Sequence, residues 1–197
     1  MEATMKRRHL EPRVMIRKLI LAFLIVGLVP VTLHYAYDWT LDGYLFERWK
    51  EKVVKVFSLD ESELKYVWLK SQEHGVDPTF VVCQAWVESS FRDKAESHAG
   101  ALGWLQVKLT TARIYQPELT RDDLLVREKN IDAGLKHFAF LLQKYGSYKT
   151  AASAYCLGET RMQSLGDLGL LQHRYYHKIM RLVTQIETGL KGIESLM

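Results

Sequence analysis

Cysteine and proline are scarce. The 197 residues include 2 Cys and 4 Pro, which excludes a disulfide-stapled scaffold and a proline-rich linker protein. No stretch sustains the alternation of a strand, no internal repeat recurs, and no low-complexity tract is present. A one-signed charge excess is also missing from most of the chain. Residues 1–37 hold six Lys/Arg (Lys6, Arg7, Arg8, Arg13, Arg17, Lys18) and two Glu, whereas residues 38–197 balance 21 basic against 21 acidic side chains. The net charge of +4 therefore belongs to an N-terminal arm, and no nucleic-acid partner is implied. What remains is an ordinary globular composition, 48% hydrophobic and 25% charged, in a length that suits one domain of about 100–150 residues plus an extra segment.

That extra segment reads as a membrane anchor. Leu19 to Leu33 carry no charge, and the apolar run extends to Tyr37 with His34 as its main interruption. As a helix, residues 19–37 span roughly 28 Å at about 1.5 Å per residue, close to a hydrocarbon core of about 30 Å. Tyr35, Tyr37 and Trp39 stand at the far end, where aromatic rings favour the interface. All six basic residues precede the run, which places residues 1–18 in the cytoplasm and the rest outside it. The rivals are a cleaved signal peptide, for which His34 is a poor residue two positions before Ala36, and a buried soluble helix.

The rest reads as helices. Leu41, Leu45, Trp49, Val53 and Phe57 recur at intervals of four, giving a connector helix over 38–57 that lies on the membrane surface or packs on the following domain. Ser58 and Glu61 have capping-box spacing. Gly75 is placed to close the next helix, and Asp77-Pro78 to open another, running to about Phe91. Further helices are expected near Thr111–Gln116, Asn130–Tyr145, Tyr148–Cys156 and Leu170–Leu190. Residues 58–197 therefore read as one all-α domain.

Glu88 is the residue with chemistry. It sits late in an apolar helix (Phe80, Val81, Val82, Ala85, Trp86, Val87), where both burial and the negative end of the helix dipole disfavour ionisation. A carboxyl protonated near neutral pH can serve as a general acid. Alternatively, Arg92 at i+4 makes an exposed ion pair with it. Asp93, the nearest second carboxyl, reads as solvated in a turn.

Several motifs around Glu88 occur in a familiar order: Glu88-Ser89 with Phe91; Ser97; Gly100-Ala101; Gly103-Trp104-Leu105-Gln106; Thr111-Ala112; Asn130-Ile131 with Gly134; Ala154-Tyr155-Cys156-Leu157-Gly158; and Tyr176 as a late tyrosine. This set resembles the transglycosylase SLT domain, the lysozyme-like fold of bacterial lytic transglycosylases. Departures are Trp104 and Leu105 for Leu and Met, Leu109 where Pro is frequent, and Cys156 for Asn.

The resemblance implies a lysozyme-like helical domain behind one transmembrane helix. It implies Glu88 as catalytic acid/base, with Ser97, Gly103, Gln106 and Tyr155 binding substrate. It further implies peptidoglycan glycan strands as partner, beside the bacterial membrane, and cleavage between N-acetylmuramic acid and N-acetylglucosamine with formation of a 1,6-anhydromuramic end. A non-catalytic peptidoglycan-binding scaffold and a lysozyme-type hydrolase are the alternatives. No cofactor or metal is expected: His173 and His177 are spaced i,i+4, but no third ligand is evident. Cys83 and Cys156 either pair or leave Cys83 in the core. Trp104 either stacks on a sugar or wedges between helices.

Overall fold

The computed structural model of the chain describes residues 40–164 and 174–189. The predicted anchor over 19–37 and His173 lie outside these residues. Among the described residues, no helix is long and apolar enough to cross a membrane. Helix α1 covers 40–53, and the chain divides within it into two compact units, at Glu47/Arg48. Every candidate site residue belongs to the second unit. So do residues 48–57 of the predicted connector, whose Trp49, Val53 and Phe57 are buried. The Trp49 ring lies 5.4 Å from that of Trp68, and its Nε1 donates to Thr79 Oγ1 at 3.2 Å.

Helix α2 (Glu61–His74) opens on Asp60 rather than the predicted Ser58. Glu63 N donates to Asp60 Oδ1, and Asp60 N to Glu63 Oε2, both at 2.8 Å. Ser58/Glu61 and Asp60/Glu63 share one spacing; the structure uses the pair whose capping acceptor is a carboxylate, the stronger acceptor for orphan amides. Gly75 ends the helix in the left-handed region, at φ +65°. Helix α3 (Pro78–Ser89) starts as expected, with Asp77 accepting from Thr79 N at 2.7 Å and Pro78 in its first turn.

The loop after α3 contains the structure's one departure from all-helical character among the described residues. Strands β1 (Ala101–Leu102) and β2 (Val107–Lys108) pair antiparallel, Ala101 opposite Lys108 and Leu102 opposite Val107. Two residues per strand are too few for a period-2 pattern to register in the sequence. Helix α4 (Leu109–Tyr115) and a 3-10 turn (Asp123–Leu125) lead into α5 (Arg127–Tyr145), the central helix, which contacts α2, α4 and α6 (Tyr148–Leu157). Ile131, Leu135, Phe138 and Leu141 recur at helical spacing along α5, and all four are buried; Leu142 beside them is part-exposed. Each such side chain contributes roughly 1.5–3 kcal/mol by leaving water. A short α7 (Glu159–Ser164), absent from the sequence reading, follows α6; α8 (Arg174–Thr188) packs on α3 and α6.

Asn130 ties the loop to this frame. Its side chain is fully buried; Oδ1 accepts from Leu105 N at 2.8 Å, while Nδ2 donates to Leu102 O at 2.8 Å and Leu124 O at 2.9 Å. Three backbone groups that would otherwise be buried unpaired are satisfied by one amide. Gly103 makes this possible. At φ +70°, a Cβ there would stand 2.4 Å from Asn130 Nδ2 and 2.5 Å from Leu124 O.

Candidate active site

Helix α3 ends one residue after Glu88, and the way it ends decides what Glu88 can touch. Ser90 and Phe91 both take left-handed backbone, at φ 52° and 61°. Phe91 is held there by the rings of Phe57, Trp86 and Trp104, 5.0–5.4 Å away. The chain therefore turns off the helix, and Arg92 Nε donates to Ser89 O at 2.8 Å. The Glu88–Arg92 pair considered from spacing is not made, because Arg92 is no longer on the helix. Asp93 is part-exposed but not unpartnered. It forms a bidentate pair with Arg127, both bonds at 2.9 Å, and Arg127 also bridges to Glu63. The Arg127 guanidinium lies 4.8 Å over the ring of Trp104, which is buried. Trp104 is thus a wedge between elements, not a sugar platform.

Freed of Arg92, Glu88 receives a hydrogen bond from Tyr175 Oη at 2.5 Å. Burial pushes its carboxyl up to about 7, and the Tyr175 bond, which favours the charged form, opposes that rise without cancelling it. Burial also holds the Tyr175 phenol well above its ordinary range, so it remains a donor. The sequence reading placed the late tyrosine at Tyr176; Tyr175 is the one that turns inward. It shares a buried stripe with Ile179 and Ile186, whereas the Tyr176 ring lies beside His177. The i,i+4 spacing from Tyr175 to Ile179 was the available signal.

Glu88 lines a cavity of about 490 Å³, with Ser97, Gln106, Tyr155, Cys156 and Glu159 among its walls. Ser89, next to the acid, is buried, and its Oγ donates to Trp104 O at 2.9 Å, fixing the end of α3 to the loop. Ser97 closes its own turn, Oγ accepting from Ala101 N at 3.0 Å. Gln106 is held at φ 50°, its Nε2 donating to Gly103 O at 3.0 Å and Ala95 O at 3.3 Å. A left-handed non-glycine residue costs roughly 1–3 kcal/mol and is often found where a side chain must be aimed. Tyr155 Oη donates to Leu105 O at 2.8 Å. Gly134 leaves room for this contact, since a Cβ there would meet Leu105 Cδ1 at 2.6 Å and Tyr155 Oη at 3.2 Å. Gly103, predicted to bind substrate, does not line the cavity; it stands behind the wall against Asn130.

Among the wall residues that the sequence did not single out are His137 and Glu159. His137 lines the cavity, with Nδ1 3.1 Å from Tyr115 Oη and its ring 5.4 Å from that of Tyr155; burial lowers its pKa. Glu159 lies at the start of α7 and accepts on Oε2 from Lys144 Nζ and from Tyr145 Oη, the latter at 2.6 Å. These bonds, Lys144 first, hold its carboxyl below the usual range. Both cysteines are free thiols. Cys83 is buried in the core, and Cys156 is exposed on the cavity wall.

The family model described as "Transglycosylase SLT domain" matches residues 65–168. The "Membrane-bound lytic murein transglycosylase C" of Sodalis glossinidius (strain morsitans) is 35% identical over 99 residues, 44% of this chain and 27% of that protein. The fold is similar to the 70 kDa soluble lytic transglycosylase of Escherichia coli, with a TM-score of 0.58 and 17% identity over 80% of this chain and 31% of the other. It is also similar to an inactive mutant of the lytic transglycosylase Slt of Pseudomonas aeruginosa, at TM-score 0.55 and 16% identity over 92% and 38%. The chain thus spans about a third of the length of these relatives. With the family model covering more than half of its residues, the chain belongs to the transglycosylase SLT domain family.

Proposed function

We propose that the chain is a membrane-anchored peptidoglycan lytic transglycosylase with Glu88 as its acid and base. The observation that carries this reading is a largely buried carboxyl raised to about 7 at the edge of a cavity large enough for sugar rings. Protonated Glu88 donates to the glycosidic oxygen between N-acetylmuramic acid and N-acetylglucosamine. The bond from that oxygen to muramic C1 breaks, and the muramic 2-acetamido group stabilises the cationic centre. The Glu88 carboxylate, now accepting from Tyr175, takes the proton of the muramic C6 hydroxyl as that oxygen bonds to C1. The products are a 1,6-anhydromuramic end and a free C4 hydroxyl on the leaving sugar; no water is consumed and Glu88 ends protonated. Ser97, Gln106 and Tyr155 shape the cleft, and Gly103, packed behind its wall against Asn130, keeps them in register.

The charge split across residues 19–37 supports an uncleaved anchor with the domain outside the cytoplasm. A periplasmic-type reporter fused after Lys55 should be active, and a cytoplasmic reporter at the same site inactive; the opposite pattern would leave the domain without access to peptidoglycan.

A hydrolytic reading has one observation in its favour: Glu159, ionised by its partners, lines the same cavity and would suit activation of water. Digestion of purified sacculi in ¹⁸O-labelled water separates the two. An oriented internal hydroxyl reaches effective molarities of about 10⁵–10⁸ M, so anhydromuropeptides without label should dominate. Reducing ends carrying the heavy oxygen would establish water as the acceptor and a lysozyme-type reaction.

A further inference from the structure

The cavity's ionisable walls are compensated with one exception. Glu159 is bonded to Lys144 and Tyr145. Glu88 is bonded to Tyr175 and, with a pKa near 7, carries at most part of a charge at neutral pH. His137 is held neutral by burial and bonded to Tyr115. Lys108 stands apart. It lines the same cavity from the end of β2, opposite Ala101, and its side chain is exposed. It is the N-cap residue of α4 but its side chain makes no capping bond, and among the described residues no carboxylate, carbonyl or ring partners its ammonium. An uncompensated cation on a cleft wall raises the local concentration of anions and favours a ligand that brings a carboxylate to it.

N-acetylglucosamine is neutral. The anion on a peptidoglycan strand is carried by the arm on muramic O3: a lactyl carboxylate when the peptide stem has been removed, or carboxylates of the stem when it is present. We propose that Lys108 is a specificity residue that pairs with a carboxylate on the muramic O3 arm of the strand in the cleft. The pairing rests on the reading of the cavity as a glycan cleft. It selects muramyl strands by charge, and takes no part in bond breaking.

The test is binding of three otherwise identical muramyl oligosaccharides to the full chain carrying Glu88→Gln: one with the free lactyl acid, one with its methyl ester, and one with a peptide stem. An ion pair to an exposed lysine supports a preference of up to about fivefold, weakening as salt rises. Tighter binding of the free acid than the ester, abolished by adding Lys108→Gln, assigns the lactyl carboxylate as the anion. The same Lys108-dependent preference for the peptide-bearing ligand assigns the stem. Equal binding of all three to the Lys108 chain, or an equal loss for all three on Lys108→Gln, overturns the proposal while leaving the glycan cleft intact. Failure to bind any of the three removes the glycan cleft itself and Lys108's role with it. If Glu88→Gln does not fold, initial rates of the wild-type and Lys108→Gln chains on the same three ligands supply the same comparison.

Discussion

Glu88 and Glu159 line one cavity, and their pKa values are shifted in opposite directions. Glu88 sits at the end of an apolar helix with a neutral donor, Tyr175, and burial carries its pKa up. Glu159 sits at the rim with a lysine and a tyrosine on one oxygen, and its pKa goes down. The residue type is the same; solvation and partners differ, and these set which proton each end of the cleft can give or take at neutral pH. Of the two carboxyls, Glu88 is the one that still holds a proton for part of the time at neutral pH.

The largest effect should come from removing that proton. Glu88→Gln is expected to lower turnover of sacculi by about 10²–10⁴-fold, with Glu159→Gln costing less than about tenfold. Equal losses would erase the contrast and make Glu159 the base of a hydrolase. The same contrast has a stability side. The pKa of Glu88 in the folded chain is above its ordinary value of 4.5, so ionisation works against the fold. Stability is full below about 4.5 and declines as pH rises through about 7, by about 3 kcal/mol in total. Thermal unfolding should therefore show Glu88→Gln more stable than wild type at pH 8, with the gap closing at pH 4. A gap independent of pH would mean that packing, not charge, separates the two chains.

Tyr175→Phe gives a smaller and directional shift. Losing a bond that favours the carboxylate raises Glu88's pKa further, so the alkaline fall in kcat/KM should move to higher pH; movement to lower pH would reverse the role given to Tyr175. The same substitution at Tyr176 should leave the profile in place. Lys144→Met should be the mildest change. It lets the Glu159 pKa rise toward normal, and thermal unfolding should barely move, because exposed pairs are screened by solvent.

Much of this was legible in the chain because the signals were local. Asp77-Pro78 and Gly75 specify their caps chemically, and the apolar period of Ile131, Leu135, Phe138 and Leu141 can face only a core. Glu88 was legible as an acid in apolar company and as part of an ordered motif set. What the sequence concealed depended on one backbone turn or on distant partners. Spacing put Arg92 beside Glu88, but two left-handed residues, Ser90 and Phe91, turned it away. The pairing of Asp93 was hidden because Arg127 is far along the chain. Tyr175 and Tyr176 are adjacent, and only the buried stripe on α8 separates them. Glu159 directly follows the motif glycine, yet its place on the wall depends on how α7 meets α6.

The most direct test is a carboxyl ¹³C titration of the folded chain, with Glu88 assigned from the signal lost in Glu88→Gln and Glu159 from Glu159→Gln. A Glu88 midpoint near 7, with Glu159 titrating below the ordinary carboxylate range, is the expected result. A Glu88 midpoint near 4.5 would mean that the carboxyl is already ionised at neutral pH, and would contradict its role as the acid.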